Sequence, residues 1–142
     1  MNLQKGKIMS RSAFVALLLT FMTVGCSTAD NGNNTRDKDF IIRVDSVEAP
    51  SSASSSDTLH ITLHGIVGPD GCYRFDHIEA DRQPDTLKLT AWGIHHDGIC
   101  TQAVVALHEP YRIDPPLEDP FVIAVRQPDG SVLKNTVRIY SP

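Results

Sequence analysis

Thr58-Leu59-His60-Ile61-Thr62-Leu63-His64 alternates apolar and polar side chains at every step. In an extended chain, successive side chains point to opposite faces, so Leu59, Ile61 and Leu63 share one side and His60, Thr62 and His64 the other. Residues Thr86–Ile94 repeat the device with Leu87, Leu89 and Ala91. A half-buried strand is the element that this period specifies. Working outward, Phe40–Val47, Tyr73–Ala80, Thr101–Leu107, Phe121–Arg126 and Ser131–Ile139 read as further strands.

The segments between them carry turn chemistry: Gly68-Pro69-Asp70-Gly71, Asp97-Gly98 and Gln127-Pro128-Asp129-Gly130. The serine run 51–56 reads as an exposed loop, and Pro115-Pro116 with Pro120 marks a segment that is neither strand nor helix. Beyond the N-terminal segment no stretch sustains a 3.6-residue period. About seven short strands within residues 40–142 predict an all-β fold, a single antiparallel β-sandwich of immunoglobulin-like architecture at most. The immunoglobulin disulfide pattern itself is not met, because Trp92 lies between cysteines only 28 residues apart.

Residues 57–72 align with residues 85–100 without a gap. Asp57/Asp85, Thr58/Thr86, Leu59/Leu87, Thr62/Thr90, Gly65/Gly93, Ile66/Ile94 and Cys72/Cys100 are identical, seven of 16 positions. The match describes two equivalent strand–turn units, each ending on a cysteine. In a flat meander those cysteines would stand about 9.5 Å apart, two strand spacings, whereas a disulfide needs Cα atoms roughly 4.4–6.8 Å apart. A Cys72–Cys100 bond therefore requires the two units to lie on facing sheets or to be neighbouring strands.

Upstream, Lys5, Lys7 and Arg11 precede the apolar stretch Ala13–Met22 and the run Met22-Thr23-Val24-Gly25-Cys26. A basic end, a greasy core and small residues at a cut form an export signal. The core is about a dozen residues, short of the roughly 20 that span a bilayer. Cysteine directly after Gly25 resembles a bacterial lipoprotein signal, with Thr23 where that family usually carries leucine. The resemblance implies cleavage before Cys26, its lipidation, and a cell-envelope location in which a membrane is reached through the lipid anchor. The rival is cleavage after Ala29 and simple secretion. Either route leads to an oxidising compartment that permits disulfides. The segments Gly71-Cys72-Tyr73 and Gly98-Ile99-Cys100-Thr101-Gln102 also look like those of small exported lipoproteins of unknown activity.

On this reading residues 1–25 are a signal peptide, 26–39 a lipidated cysteine and flexible polar tether, and 40–142 the domain. Removing 25 of the 142 residues leaves 117. The removed part holds three basic and no acidic residues, which takes the formal charge from −4 to −7. Nucleic acid is not an expected partner of such a surface, since phosphate binding relies on clustered Lys and Arg.

No Gly-x-Ser-x-Gly, His-Glu-x-x-His or phosphate-binding glycine loop occurs, so no catalytic residue and no cofactor is assigned. Six histidines raise the question of metal. His60 and His64 share a strand face but stand about 13 Å apart along it, and His77 and His108 are remote in sequence, so no metal ligands are assigned. Asp76, Glu79 and Asp81 read as a solvated acidic face. The triplets beginning at Asp45, Asp57 and Asp85 resemble an O-glycosylation acceptor found in some bacterial exported proteins, and an acidic turn residue before a strand explains them as well.

Trp92 is out of phase with Leu87, Leu89 and Ala91, and His64 is its repeat counterpart. Together they are the expected contact residues for an envelope protein or glycan partner. The leading expectation is thus a non-enzymatic binding or structural module. Its alternatives are an inhibitor that inserts the Pro110–Pro120 segment into a hydrolase, and a metal-handling or hydrolytic exported protein.

Overall fold

The computed structural model describes residues 37–142. Residues 1–36, with Cys26, the expected signal segment and most of the expected tether, lie outside the described residues; Lys38 and Asp39, expected in the tether, belong to the first strand. Nine strands follow in order: β1 Lys38–Ile41, β2 Arg43–Glu48, β3 Ser52–Ser54, β4 Leu59–Gly68, β5 Tyr73–Arg82, β6 Thr86–His95, β7 Val105–Ile113, β8 Phe121–Arg126 and β9 Val132–Tyr140. They form two packed sheets, a six-stranded one containing β1, β3, β5, β6, β8 and β9, and a three-stranded one in the order β2-β4-β7. The all-β sandwich read from the alternation is the fold observed.

Both repeat units supply the inner wall. Leu59, Ile61 and Leu63 of β4 are buried, as are Leu87, Leu89 and Ala91 of β6. Ile42, Val44, Leu107, Ile113, Phe121, Ile123, Val125 and Val137 complete an aliphatic interior. Each such side chain contributes about 1.5–3 kcal/mol by leaving water, so the two equivalent strands anchor the sandwich from opposite sides.

Three details differ from the sequence reading. Phe40–Val47 is not one strand, because β1 pairs antiparallel with β6 and β2 with β4. The chain changes sheet at Ile42, which is fully buried and whose N–H donates to the Ala91 carbonyl at 2.8 Å. The serine run contains β3, paired in parallel with β9, and Ser54 is buried. Finally, the sheets are not wholly antiparallel, since β6 and β8 also run parallel. Parallel neighbours need a crossover, and here β7, in the opposite sheet, provides it.

The crossing at Ile42 explains why the repeat keeps a glycine. Phe40 stands opposite Gly93, and Val44 opposite Gly65. A Cβ at Gly65 would overlap the Arg43 carbonyl oxygen, and one at Gly93 would run into the Phe40 ring and Ile42. One segment crosses from sheet to sheet by lying against the equivalent position of each repeat strand.

Cys72 and Cys100 are disulfide-bonded, with Cα atoms 5.4 Å apart. Of the two arrangements that permitted the bond, the structure has the facing sheets. Residues 69–72 carry the chain from β4 to β5, and residues 96–104 from β6 to β7, so both loops cross between sheets. Backbone bonds Gly71 N–H to Thr101 O (2.9 Å) and His96 N–H to Cys72 O (3.1 Å) join the same loops. The staple therefore ties one crossover to the other.

Candidate functional site

The outer face of the six-stranded sheet is built around β6. Since Leu87, Leu89 and Ala91 point inward, Thr86, Lys88, Thr90 and Trp92 point out. β5 presents acidic groups to them because of a bulge: Phe75 pairs with Gly93 but His77 with Trp92, leaving Asp76 as the extra residue. A bulge shifts the alternation by one. Tyr73 and Phe75 consequently pack toward the core, whereas His77, Glu79 and Asp81 stand opposite the outward Trp92, Thr90 and Lys88.

Trp92, the only tryptophan, is half-buried. Its indole N–H donates to Glu79 Oε2 at 3.0 Å. The His77 ring lies parallel to it at 6.4 Å and is held in turn by Asp76 at 2.7 Å. Beside this group runs an open groove of about 700 Å³ over β5, β6, β8 and β9. Glu79 and Asp81 line its β5 side; Arg126 and Lys134 line the other, with Thr86, Thr90, Val122 and Ala124 between. Lys88 meets Asp81 at 3.6 Å. The groove thus has an acidic rim, a basic rim and a floor of threonines and small apolar groups. Such a surface offers donors and acceptors on both sides of an extended polar ligand.

At one end of the groove, Gly130 closes the turn between β8 and β9 with φ of +82°. The neighbouring Asp129 accepts hydrogen bonds from the Ser131 hydroxyl at 2.6 Å and the Ser131 amide at 2.9 Å. Those bonds, the hydroxyl's foremost, hold its carboxyl below the usual carboxylate range.

His64 lies elsewhere. It points outward from β4, so it sits on the outer face of the three-stranded sheet, and Trp92 on that of the six-stranded one. The two expected contact residues do not share a patch. What His64 does meet is His108, directly opposite on β7, with Nδ1 atoms 3.3 Å apart, and Glu48 on β2, with Oε2 3.0 Å from Nε2. His108 and Glu48 are 44 and 16 residues away in sequence. Only the strand register brings them together.

Cys72, Cys100 and His96 form a second close group, with His96 Nε2 3.5 Å from Cys100 Sγ. Thiolate is the metal-binding form of cysteine, and here the two sulfurs are bonded to each other.

The Pro110–Pro120 segment is no projecting arm. Pro110 belongs to β7, and Leu117 is buried in the core. Leu117 N–H bonds Ser55 O and Glu118 N–H bonds Pro84 O, both at 3.2 Å. Arg82 donates to the carbonyls of Asp114 (3.2 Å) and Pro116 (2.7 Å) while its guanidinium caps the Phe121 ring at 4.8 Å. These contacts hold the segment against the body of the sandwich.

No family model, curated protein or solved structure matches this chain.

Proposed function

We propose that the chain is an exported, lipid-anchored module of the bacterial cell envelope. It acts by binding, and presents the outer face of its six-stranded sheet to an envelope glycan. The tether after Cys26 sets the sandwich off the membrane, and the disulfide lets it keep its shape outside the cytoplasm. The observation that carries the binding reading is the Trp92 group. The indole, flanked by His77, is fixed by Glu79, and Glu79 in turn lines a groove with opposite charges on its two rims. Aromatic faces take the apolar side of a sugar ring, and carboxylate, ammonium and hydroxyl groups take its hydroxyls. An envelope protein is the second reading, supported by the same charged rims.

Trp92 is the sole tryptophan, so intrinsic fluorescence reports on this face alone. Titration with solubilised cell-wall glycan fragments should shift its emission in a saturable way, and Lys134→Ala or Thr90→Ala should weaken the response several-fold. A flat titration, with no loss of recovery for Trp92→Ala in a pull-down from envelope extract, would remove the reading. Cleavage before Cys26 and its acylation are checked separately, by mass spectrometry of the N-terminal peptide.

A further inference from the structure

His60, Thr62 and His64 of β4 line the outer face of the three-stranded sheet, between β2 and β7. Two of the strand pairings there fix a geometry that the rest of the face lacks. His64 is paired in register with His108, so both rings leave the sheet on one side from Cα positions directly opposite each other. Glu48, on the other neighbour of β4, reaches His64 from behind.

We propose that His64 and His108 bind a divalent late first-row metal ion through their Nδ1 atoms, with zinc as the ion their spacing fits. Glu48 serves as the positioning carboxylate. Two imidazole nitrogens at about 2.0–2.1 Å from a tetrahedral zinc stand about 3.3 Å from each other. The two Nδ1 atoms are 3.3 Å apart. A square-planar ion would bring two adjacent nitrogens to about 2.9 Å, so it would need the rings to close up.

Glu48 settles which nitrogen of His64 is free. A carboxylate 3.0 Å from Nε2 accepts a hydrogen bond from the Nε2–H, which leaves the lone pair of the neutral ring on Nδ1, on the side of His108. Carboxylate-to-histidine-to-metal chains are the usual way in which a ligand ring is held in one tautomer. Without metal, the Nδ1 contact is a hydrogen bond from His108 N–H to the His64 lone pair. For metal to enter, His108 need only carry its proton on Nε2 instead, with no net proton released. Solvent supplies the remaining coordination positions, since Ile66 and Ala106, the next pair along the two strands, leave that side open. His60, paired with Arg112 four residues away along β4, takes no part.

The site is tested on the untagged exported protein by isothermal titration with zinc chloride and by ¹⁵N NMR of the imidazole nitrogens. One zinc should bind per chain, moving the Nδ1 resonances of His64 and His108. His64→Ala and His108→Ala should each weaken binding at least 10-fold, Glu48→Gln by about 10-fold, and His60→Ala not at all. All four side chains point to solvent, so circular dichroism should report the same fold throughout. Equal zinc affinity in wild type, His64→Ala and His108→Ala would overturn the proposal. So would spectra of the zinc-bound wild type in which either ring keeps its proton on Nδ1 and carries the metal on Nε2, whatever the variants do.

Discussion

Reducing the Cys72–Cys100 bond should lower the thermal midpoint of unfolding by about 16 °C. The bond closes a loop of 28 residues, and in the chain-entropy model such a loop restricts the unfolded state by about 12 cal/mol/K, or about 3.6 kcal/mol at 25 °C. Unfolding about 106 residues at roughly 2.1 cal/mol/K each gives an entropy near 220 cal/mol/K, which converts that energy into about 16 °C. The bond here also joins two loops that each carry the chain between sheets, so native contacts around it should persist after reduction. Circular dichroism melts with and without reductant measure the shift, and a Cys72→Ala/Cys100→Ala variant repeats it without reductant. The variant should fall slightly further, because Cys72 is buried and truncation removes packing as well. A midpoint within 3 °C of the oxidised protein would refute the argument, since the two backbone bonds between the loops would then be holding them unaided.

Three further outcomes follow from particular contacts. Gly65→Ala should cost about 1–3 kcal/mol, because its Cβ meets a backbone carbonyl that cannot move aside; Gly93→Ala should cost somewhat less, its neighbours being side chains, and Gly98→Ala almost nothing. Equal melting points for the Gly65 and Gly98 variants would contradict this. Gln127 is buried and accepts the Val44 N–H at 3.2 Å on the open edge of β2, so Gln127→Ala should lower stability to urea by about 1–3 kcal/mol through an unsatisfied amide; an unchanged midpoint would count against it. Asp129 has a depressed pKa in the folded state, so its contribution is present above the ordinary carboxylate range and is lost as the pH falls through the lower, folded value. The melting-point gap between wild type and Asp129→Asn should therefore be seen at pH 7 and vanish near pH 2, and a gap that persists in acid would refute the assignment.

Most of the architecture was readable because a two-residue period needs only local information. Leu59, Ile61 and Leu63, like Leu87, Leu89 and Ala91, are inward for the reason that their alternation announced. The misses have one physical origin: features that depend on a partner strand leave no local trace. The switch of sheet at Ile42 looks like uninterrupted strand, since a crossing residue is as apolar as its neighbours. β3 is written in serines because a short edge strand is held by its pairing with β9 rather than by a greasy face. Asp76, Glu79 and Asp81 are exposed as their polarity announced, but only the bulge at Asp76 puts Glu79 on the face of Trp92, whose indole N–H donates to it. That Trp92 and His64 face outward follows from the alternation alone, but that they lie on different sheets does not. His108 and Glu48 were out of reach for the same reason.

The two repeat strands stay apolar at every position the sandwich buries, and on their outer faces they share threonines but not the residues that carry chemistry. Inward positions pair Leu59 with Leu87, Ile61 with Leu89 and Leu63 with Ala91, while Gly65 and Gly93 match because one crossing segment presses on both. Outward, His60 faces Lys88 in the alignment, and His64 faces Trp92. The interior thus fixes a shared frame and leaves each outer face its own chemistry: a histidine pair with a carboxylate on one, an indole bordering a charged groove on the other. A rigid core stands between them, and neither group reaches through it. The two surfaces should then behave independently. Trp92→Ala should leave zinc affinity unchanged within twofold, and His64→Ala should leave the glycan response of Trp92 fluorescence unchanged to the same degree. A coupling of more than about 1 kcal/mol in the double-mutant cycle would mean that the sheets shift together on binding, and that the sandwich transmits rather than merely displays.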